Sequence, residues 1–214
     1  MTALAGRVSA GGAGVAGAVV AAFGPERPSP SLASAVTGAD GRFALVVDGE
    51  VVGGLLLARC GLGPVGLATA PAGPEVELAL DGGPALHRLT VVAEGPAPPE
   101  LDLQLTPRRI DGLDDEVVGL VHAPVDGEVH SMLAVLPLGG PGRVDVDVQG
   151  GRWLLYAAHE SAPDALGADG RHVAWQVESA TVGGRPADRG FIGHEVEVTG
   201  PTTVTLHIRR IDKG

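Results

Sequence analysis

The stretch Thr37-Gly38-Ala39-Asp40-Gly41-Arg42-Phe43-Ala44-Leu45-Val46-Val47 constrains this chain more than any other. Gly41 follows Asp40, and glycine alone takes the positive φ of a tight turn without a steric cost at Cβ. Behind the turn, Phe43, Leu45 and Val47 alternate with Arg42, Ala44 and Val46. A period of two puts those three apolar side chains on one face of a strand. The stretch therefore predicts a hairpin turn feeding a half-buried β-strand.

The rest of the chain is punctuated in the same way. Its 214 residues include 34 glycines and 17 prolines, set between short apolar runs as in a many-stranded, turn-rich protein. The runs predict strands over 4–10, 15–23, 35–37, 42–47, 51–60, 65–70, 75–80, 86–93 and 101–105 in the first half. In the second half they predict strands over 117–122, 128–138, 144–148, 152–158, 172–177, 195–198 and 202–211. Three prolines in 25–30 mark a loop, because proline cannot donate to a ladder. No window predicts a helix.

Three elements of the first half carry a family resemblance. In order and rough spacing, Gly6-Arg7-Val8, Gly17-Ala18-Val19-Val20 and the stretch from Thr37 through Leu45 resemble the carboxypeptidase regulatory-like domain. That family belongs to the transthyretin-like (prealbumin-like) β-sandwiches. The likeness covers roughly the first hundred residues, and its fourth element departs, since Gly54-Leu55-Leu56-Leu57 has no tyrosine. A Gly-x-aromatic-x-Leu element does occur later, as Gly151-Arg152-Trp153-Leu154-Leu155. The expectation is an all-β chain of two tandem antiparallel β-sandwiches, the first transthyretin-like or Ig-like. The first spans 1–106 and the second, of uncertain family, spans 107–214, with the boundary near Thr106-Pro107. The resemblance implies a bacterial structural or binding module, since such domains are mostly non-catalytic.

Charge and composition narrow the function classes. The net charge is −11, and both halves are acidic, with ten acidic and five basic side chains in 1–105 against sixteen and ten in 106–214. Such a surface repels a phosphate backbone, so nucleic acid is not expected as a partner. Aromatic residues make up 3%, few for a base-stacking or sugar-binding groove. Cys60 has no internal disulfide partner and reads as a small buried hydrophobe. The most apolar window, 51–57, is too short to span a bilayer, and no basic start with an apolar core follows Met1. A soluble, cytoplasmic protein without membrane insertion is expected.

Six of seven histidines, all but His87, lie after residue 121, yet none has a partner at metal-ligand spacing. Loop-proximal residues His130, His159, Glu160, His194 and Glu195 form the candidate ligand or partner surface. Asp111, Asp114, Asp115 and Glu116 offer oxygens for calcium without the EF-hand pattern. Ser131 and Ser161 lie near His130 and His159 but outside any nucleophile elbow. Trp153, Tyr156 and Trp175 read as core of the second sandwich, with one exposed ring able to serve a partner. No catalytic residue, metal site or cofactor is assigned. The expected function is a non-enzymatic structural or protein-interaction module: an adaptor, scaffold or accessory subunit with a protein partner. The alternative is a ligand- or metal-binding protein, or an unusual enzyme, using the second half's histidine- and acid-bearing loops.

Overall fold

A computed structural model describes residues 1–26, 31–61, 63–73, 75–83, 85–95, 101–113, 115, 117–118, 136–138, 142–158, 172–189 and 193–213. The chain is all-β and forms two β-sandwich units. Met1–Leu86 with Ile110–Met132 make the first, and His87–Arg109 with Leu133–Gly214 make the second.

The first unit contains β1 (Thr2–Ala10), β2 (Ala13–Gly14), β3 (Val19–Phe23), β4 (Ala33–Val36), β5 (Arg42–Val47), β6 (Leu55–Arg59), β7 (Val65–Thr69) and β8 (Glu75–Ala79). One sheet places β1 between β5, antiparallel, and β8, parallel, with β2 continuing the β5 side at the end of β1. The other sheet runs β4-β3-β6-β7, all antiparallel. Between the sheets lies an aliphatic core around Leu4, Val8, Val20, Leu45, Leu56 and Leu78, with Phe43 as its ring. At about 25 cal/mol per Å² of apolar area removed from water, such burial is the main favourable term for a chain with so few aromatics.

The opening stretch behaves as its alternation predicts in β5, where Phe43, Leu45 and Val47 are buried and Arg42, Ala44 and Val46 are exposed. Phe43 stands opposite Gly6 in the ladder, and a Cβ built on Gly6 would lie 2.7 Å from the ring and 2.2 Å from the Val76 carbonyl oxygen. Gly6 thus leaves room for the ring above β1 and for β8 beside it, an aromatic covering a strand glycine.

The turn itself differs from expectation. Gly41 N–H donates to the Gly38 carbonyl at 2.9 Å, closing a four-residue turn. However, β4 pairs with β3 while β5 pairs with β1, so the turn carries the chain from one sheet to the other and is not a hairpin. Gly41, with its positive φ (79°), is the last residue of that turn, whereas Gly183 and Gly184 (54° and 80°) occupy both central positions of a two-residue loop, as a type I′ hairpin requires. Those two join Val182 to Arg185, which pair across a true hairpin.

Thr37 ties the crossing together. Its buried hydroxyl donates to the Val15 carbonyl at 2.6 Å and accepts from the Ala18 amide at 2.9 Å. Gly41 presses on the same place. A Cβ there would meet Val8 O at 2.5 Å and Val15 N at 2.7 Å, while Val8 N–H donates to Gly41 O at 2.8 Å.

The second unit contains β9 (Leu86–Glu94), β10 (Leu101–Ile110), β11 (Leu136–Leu138), β12 (Arg143–Gln149), β13 (Gly151–Ala158), β14 (His172–Val182), β15 (Arg185–Pro186), β16 (His194–Val198) and β17 (Thr202–Lys213). Its sheets run β12-β9-β17-β14-β15 and β11-β10-β13-β16. The plan repeats that of the first unit. The opening strand β9 lies between a mid-unit strand, β12, and the closing strand β17, which is parallel to it as β8 is to β1. In the facing sheets β4-β3-β6-β7 corresponds to β11-β10-β13-β16 in both chain order and position. The hairpin β14–β15 is an addition between the counterparts of β6 and β7.

This pairing does not coincide with the expected boundary near Thr106-Pro107. Strands β9 and β10, expected in the first sandwich, pair with β12 and β17 and with β11 and β13 of the second. The alternation in 101–105 shows that a strand is present but not which sheet it joins. Two further expectations shift. The strand expected from residue 15 begins at Val19, after a turn at Gly17 (φ 73°). Asp115, Val117 and Val118 are helical where a strand was expected from Val117. Both valines are buried there.

Candidate functional site

Of the five candidate surface residues, His130, His159 and Glu160 lie outside the described residues. His194 and Glu195 begin β16 and diverge, as neighbours on a strand must. His194 shares the inward face with Val196 and Val198 and is buried. It pairs with Leu155 on β13 and forms a bridge with Arg189. Its Nδ1 has no hydrogen-bond partner among the described residues. Burial, and secondarily the Arg189 charge, hold its pKa below the ordinary histidine value, so the neutral imidazole belongs to the fold.

Glu195 is on the other face, in a charged cluster. Arg152 on β13 lies 3.8 Å from Glu195 and 3.4 Å from Glu197, and Arg109 on β10 pairs with Glu197 as well. Tyr156, 40% exposed, projects from the same side of β13 as Arg152. This face can bind a polar partner surface. Its charges are mutually satisfied and solvated, which describes a structural ion-pair network better than a reactive centre.

A second polar face lies on β9 and β12. Arg88 makes a bidentate contact to Asp147 at 2.6 and 3.0 Å, and Thr90 Oγ1 donates to Asp145 Oδ1 at 2.6 Å. Arg143 approaches Asp145 at 3.0 Å. The Thr90 hydroxyl first, then Arg143, hold the Asp145 carboxyl below its usual range, while Asp147 holds Arg88 above its own. Asp145 and Asp147 share a solvent face because they alternate with Val144, Val146 and Val148 along β12.

The aromatic expectation divides. Trp153 is fully buried, and its indole N–H donates to the Gln149 carbonyl at 2.8 Å. The Gln149 side chain is also buried, with neither Oε1 nor Nε2 partnered among the described residues. Nothing in the sequence marked Gln149, since a glutamine ending a strand reads as exposed. Cys60 is half-buried and free. Of the acidic run 111–116, Asp111 and Asp115 are described and both are exposed. Among the described residues no group of three or more His, Cys, Asp or Glu is placed to hold a metal ion.

Two open clefts lie on the first unit. One, of about 310 Å³, is bordered by Val65, Leu67, Ala79 and Asp111. The other, of about 470 Å³, lies across the outer face of β5-β1-β8 and brings both charge signs together in Arg7, Arg42, Glu75 and Glu77. No helix among the described residues is long and apolar enough to cross a membrane.

No protein-family model matches the chain, and no curated protein does. Among solved structures it is similar to the minor pilin GBS52 of Streptococcus agalactiae, at TM-score 0.33 and 9% identity, over 100% of this chain and 98% of that one. It is similar to the full-length major pilin RrgB of Streptococcus pneumoniae at TM-score 0.26 and 9% identity, over 96% of this chain and 48% of that one. The major pilin T-13 of Streptococcus pyogenes gives TM-score 0.25 and 8% identity, over 99% and 98%. All three scores are low, and the two-sandwich architecture rests on the sheets described above.

Proposed function

We propose that this chain is a non-enzymatic structural or protein-interaction module, acting as an adaptor, scaffold or accessory subunit of a larger assembly. The observation that carries the reading is the repeated plan of two sandwiches, with exposed outward side chains and an unpaired edge on β5 among the described residues. Strand β5 pairs on one side only among the described residues, with β1, and Val46 on it is 62% exposed. Open edges and faces of this kind accept a partner's strand or sheet. Several described charges form ion pairs along sheet faces, among them Arg88 with Asp147 and Arg152 with Glu197, an arrangement suited to orienting a partner.

The carboxypeptidase regulatory-like assignment of the first unit belongs to the same proposal. It is supported by the interlocking roles of Gly6, Thr37, Gly41 and Phe43. We further propose that the domain division follows the strand pairing, with β9 and β10 in the second domain. A cytoplasmic location is likewise proposed only, and cell fractionation tests it.

The module reading is tested by native mass spectrometry of the purified chain together with a pull-down from its source cells. A specific stoichiometric partner, or a defined homo-oligomer, is expected. A strictly monomeric chain that retains no partner overturns it.

A further inference from the structure

Asp-Gly pairs occur in this chain at 40–41, 48–49, 81–82, 111–112, 126–127 and 169–170. The last two lie outside the described residues. Each pair carries a latent reaction of its own backbone, in which the glycine amide nitrogen attacks the preceding side-chain carboxyl. Glycine has no Cβ to obstruct that approach. A folded pair reacts only if carboxyl and amide are free to reach near-attack geometry, about 3–3.5 Å apart. The four described pairs differ in that freedom.

Three of them are held. Asp40 Oδ1 accepts from the Arg42 amide at 3.1 Å, and Oδ2 lies 3.4 Å from the Arg42 guanidinium. The Gly41 amide is already donated to the Gly38 carbonyl at 2.9 Å, and Gly41 is buried against Val8 and Val15. Both Asp81 oxygens accept from the Gly11 amide, at 2.8 and 2.7 Å. On either side of Asp81-Gly82, Gly83 N–H donates to the Leu80 carbonyl at 3.3 Å and Leu80 N–H to Ser9 at 2.8 Å. Asp111-Gly112 is closed in a turn by Leu113 N–H, which donates to the Ile110 carbonyl at 3.1 Å, and Asp111 is itself engaged in an interaction. In each case a contact must break before the ring can close, so reaction waits on local opening.

Asp48-Gly49 is different. Among the described residues its carboxylate accepts no hydrogen bond and forms no ion pair, and the Gly49 amide donates to no acceptor. Asp48, Gly49 and Glu50 are all exposed, and a Cβ built on Gly49 meets nothing within 4 Å. The three residues bridge Val47, which ends β5 in register with Thr2, and Val51, and both valines are buried. The turn is thus anchored at its ends and unrestrained at its centre.

We infer that Asp48 is the site of spontaneous isoaspartate formation in the folded protein. The Gly49 nitrogen bonds to the Asp48 side-chain carbonyl carbon, and the carboxyl oxygen leaves as water with the amide proton. Water then opens the succinimide. Cleavage at the side-chain carbonyl restores aspartate, while cleavage at the main-chain carbonyl leaves isoaspartate, an isomer of unchanged mass. No oxidant or cofactor takes part. The product routes the main chain through the former side chain, one methylene longer, and leaves a free α-carboxylate two residues from Val46. The exposed turn accommodates that extra length between its two buried anchors. The inference stands independently of the interaction-module reading.

Ageing the full chain for several weeks at physiological temperature and pH, folded and in concentrated urea, tests the inference. Isoaspartate is located by peptide mapping with electron-transfer dissociation and counted by labelling with an isoaspartyl methyltransferase. In urea the four pairs should react at similar rates. In the folded chain Asp48 should keep its urea rate within about threefold, whereas Asp40, Asp81 and Asp111 should slow at least about tenfold, since their hydrogen bonds must open first. Asp48→Glu needs a larger, less readily formed ring and should remove the label from that peptide while leaving the circular dichroism spectrum unchanged. Asp48→Asn should pass through the same succinimide faster and emerge as a more acidic species on ion exchange. Protection of Asp48 in the folded chain equal to that of the other three, a folded rate at any of them matching Asp48, or label persisting in Asp48→Glu overturns the inference.

Discussion

The two units share one strand plan and fill it differently. In both, the opening strand sits between a mid-unit strand and a parallel closing strand, β5-β1-β8 in one and β12-β9-β17 in the other. The first unit anchors its core with Phe43, on the strand beside its opening strand and over Gly6. The second anchors it with Trp153, on β13 of the facing sheet. Their outward faces differ as well, with exposed Ala44 and Val46 in line with Arg42 on β5 but an Arg88–Asp147 ion pair and a Thr90–Asp145 hydrogen bond across β9 and β12. Backbone pairing therefore sets the plan, and the plan accepts its aromatic anchor from either sheet and either kind of outer face. Duplication with divergence can change a face without disturbing a core, because side chains on a strand alternate between the two.

That comparison can be broken at the anchors. Trp153→Ala and Phe43→Ala should each cost about 3–5 kcal/mol, the range for removing a buried ring. Each loss should fall on its own unit, read by chemical denaturation coupled to limited proteolysis of each half. Equal loss in both units from either substitution would show that the units melt as one.

A smaller effect separates the turns. Gly41→Ala adds the clash with Val8 O and Val15 N to an unfavourable φ, and about 2–3 kcal/mol is expected. Gly183→Ala meets nothing within 4 Å, so only the left-handed backbone cost of about 1–2 kcal/mol remains. Equal costs would mean that the close approach at Gly41 contributes nothing. Thr37→Val keeps the shape but leaves the Ala18 amide unsatisfied, for about 1–3 kcal/mol by urea unfolding.

Acid should separate the units next. The folded pKa of His194 lies below its unfolded value of about 6.5, so the unfolded chain takes up the proton first as pH falls. The stability of the second unit owed to neutral His194 is therefore complete above about pH 6.5. It is lost as pH falls from there through the depressed folded value. His194→Leu should flatten that slope in melts between pH 7.5 and 5, and an unchanged slope would place the titration elsewhere. Smallest of all, Arg152→Met removes exposed ion pairs to Glu195 and Glu197 and should change stability by less than about 1 kcal/mol.

The candidate site was legible only in part. Alternation identified Asp145 and Asp147 as a shared face, but their partners Arg88 and Thr90 lie more than fifty residues away in sequence. His194-Glu195 looked like a pair in sequence and is split by the strand's own geometry, one side chain in the core and the other in solvent. Trp153 was readable as core from its apolar context, whereas the buried, unpartnered Gln149 carried no local signal.

By itself the sequence determined the all-β class, the buried set Phe43, Leu45 and Val47, and the turn at Gly41. These depend on local sterics and on a period of two, which act over a few residues. Tertiary structure alone decided that this turn changes sheets, that β9 and β10 belong with the second unit, and which face of His194 and Glu195 meets the core. A strand's own residues fix its two faces but leave its hydrogen-bonding edges without identity. Its neighbour is therefore chosen by the packing of the whole sandwich.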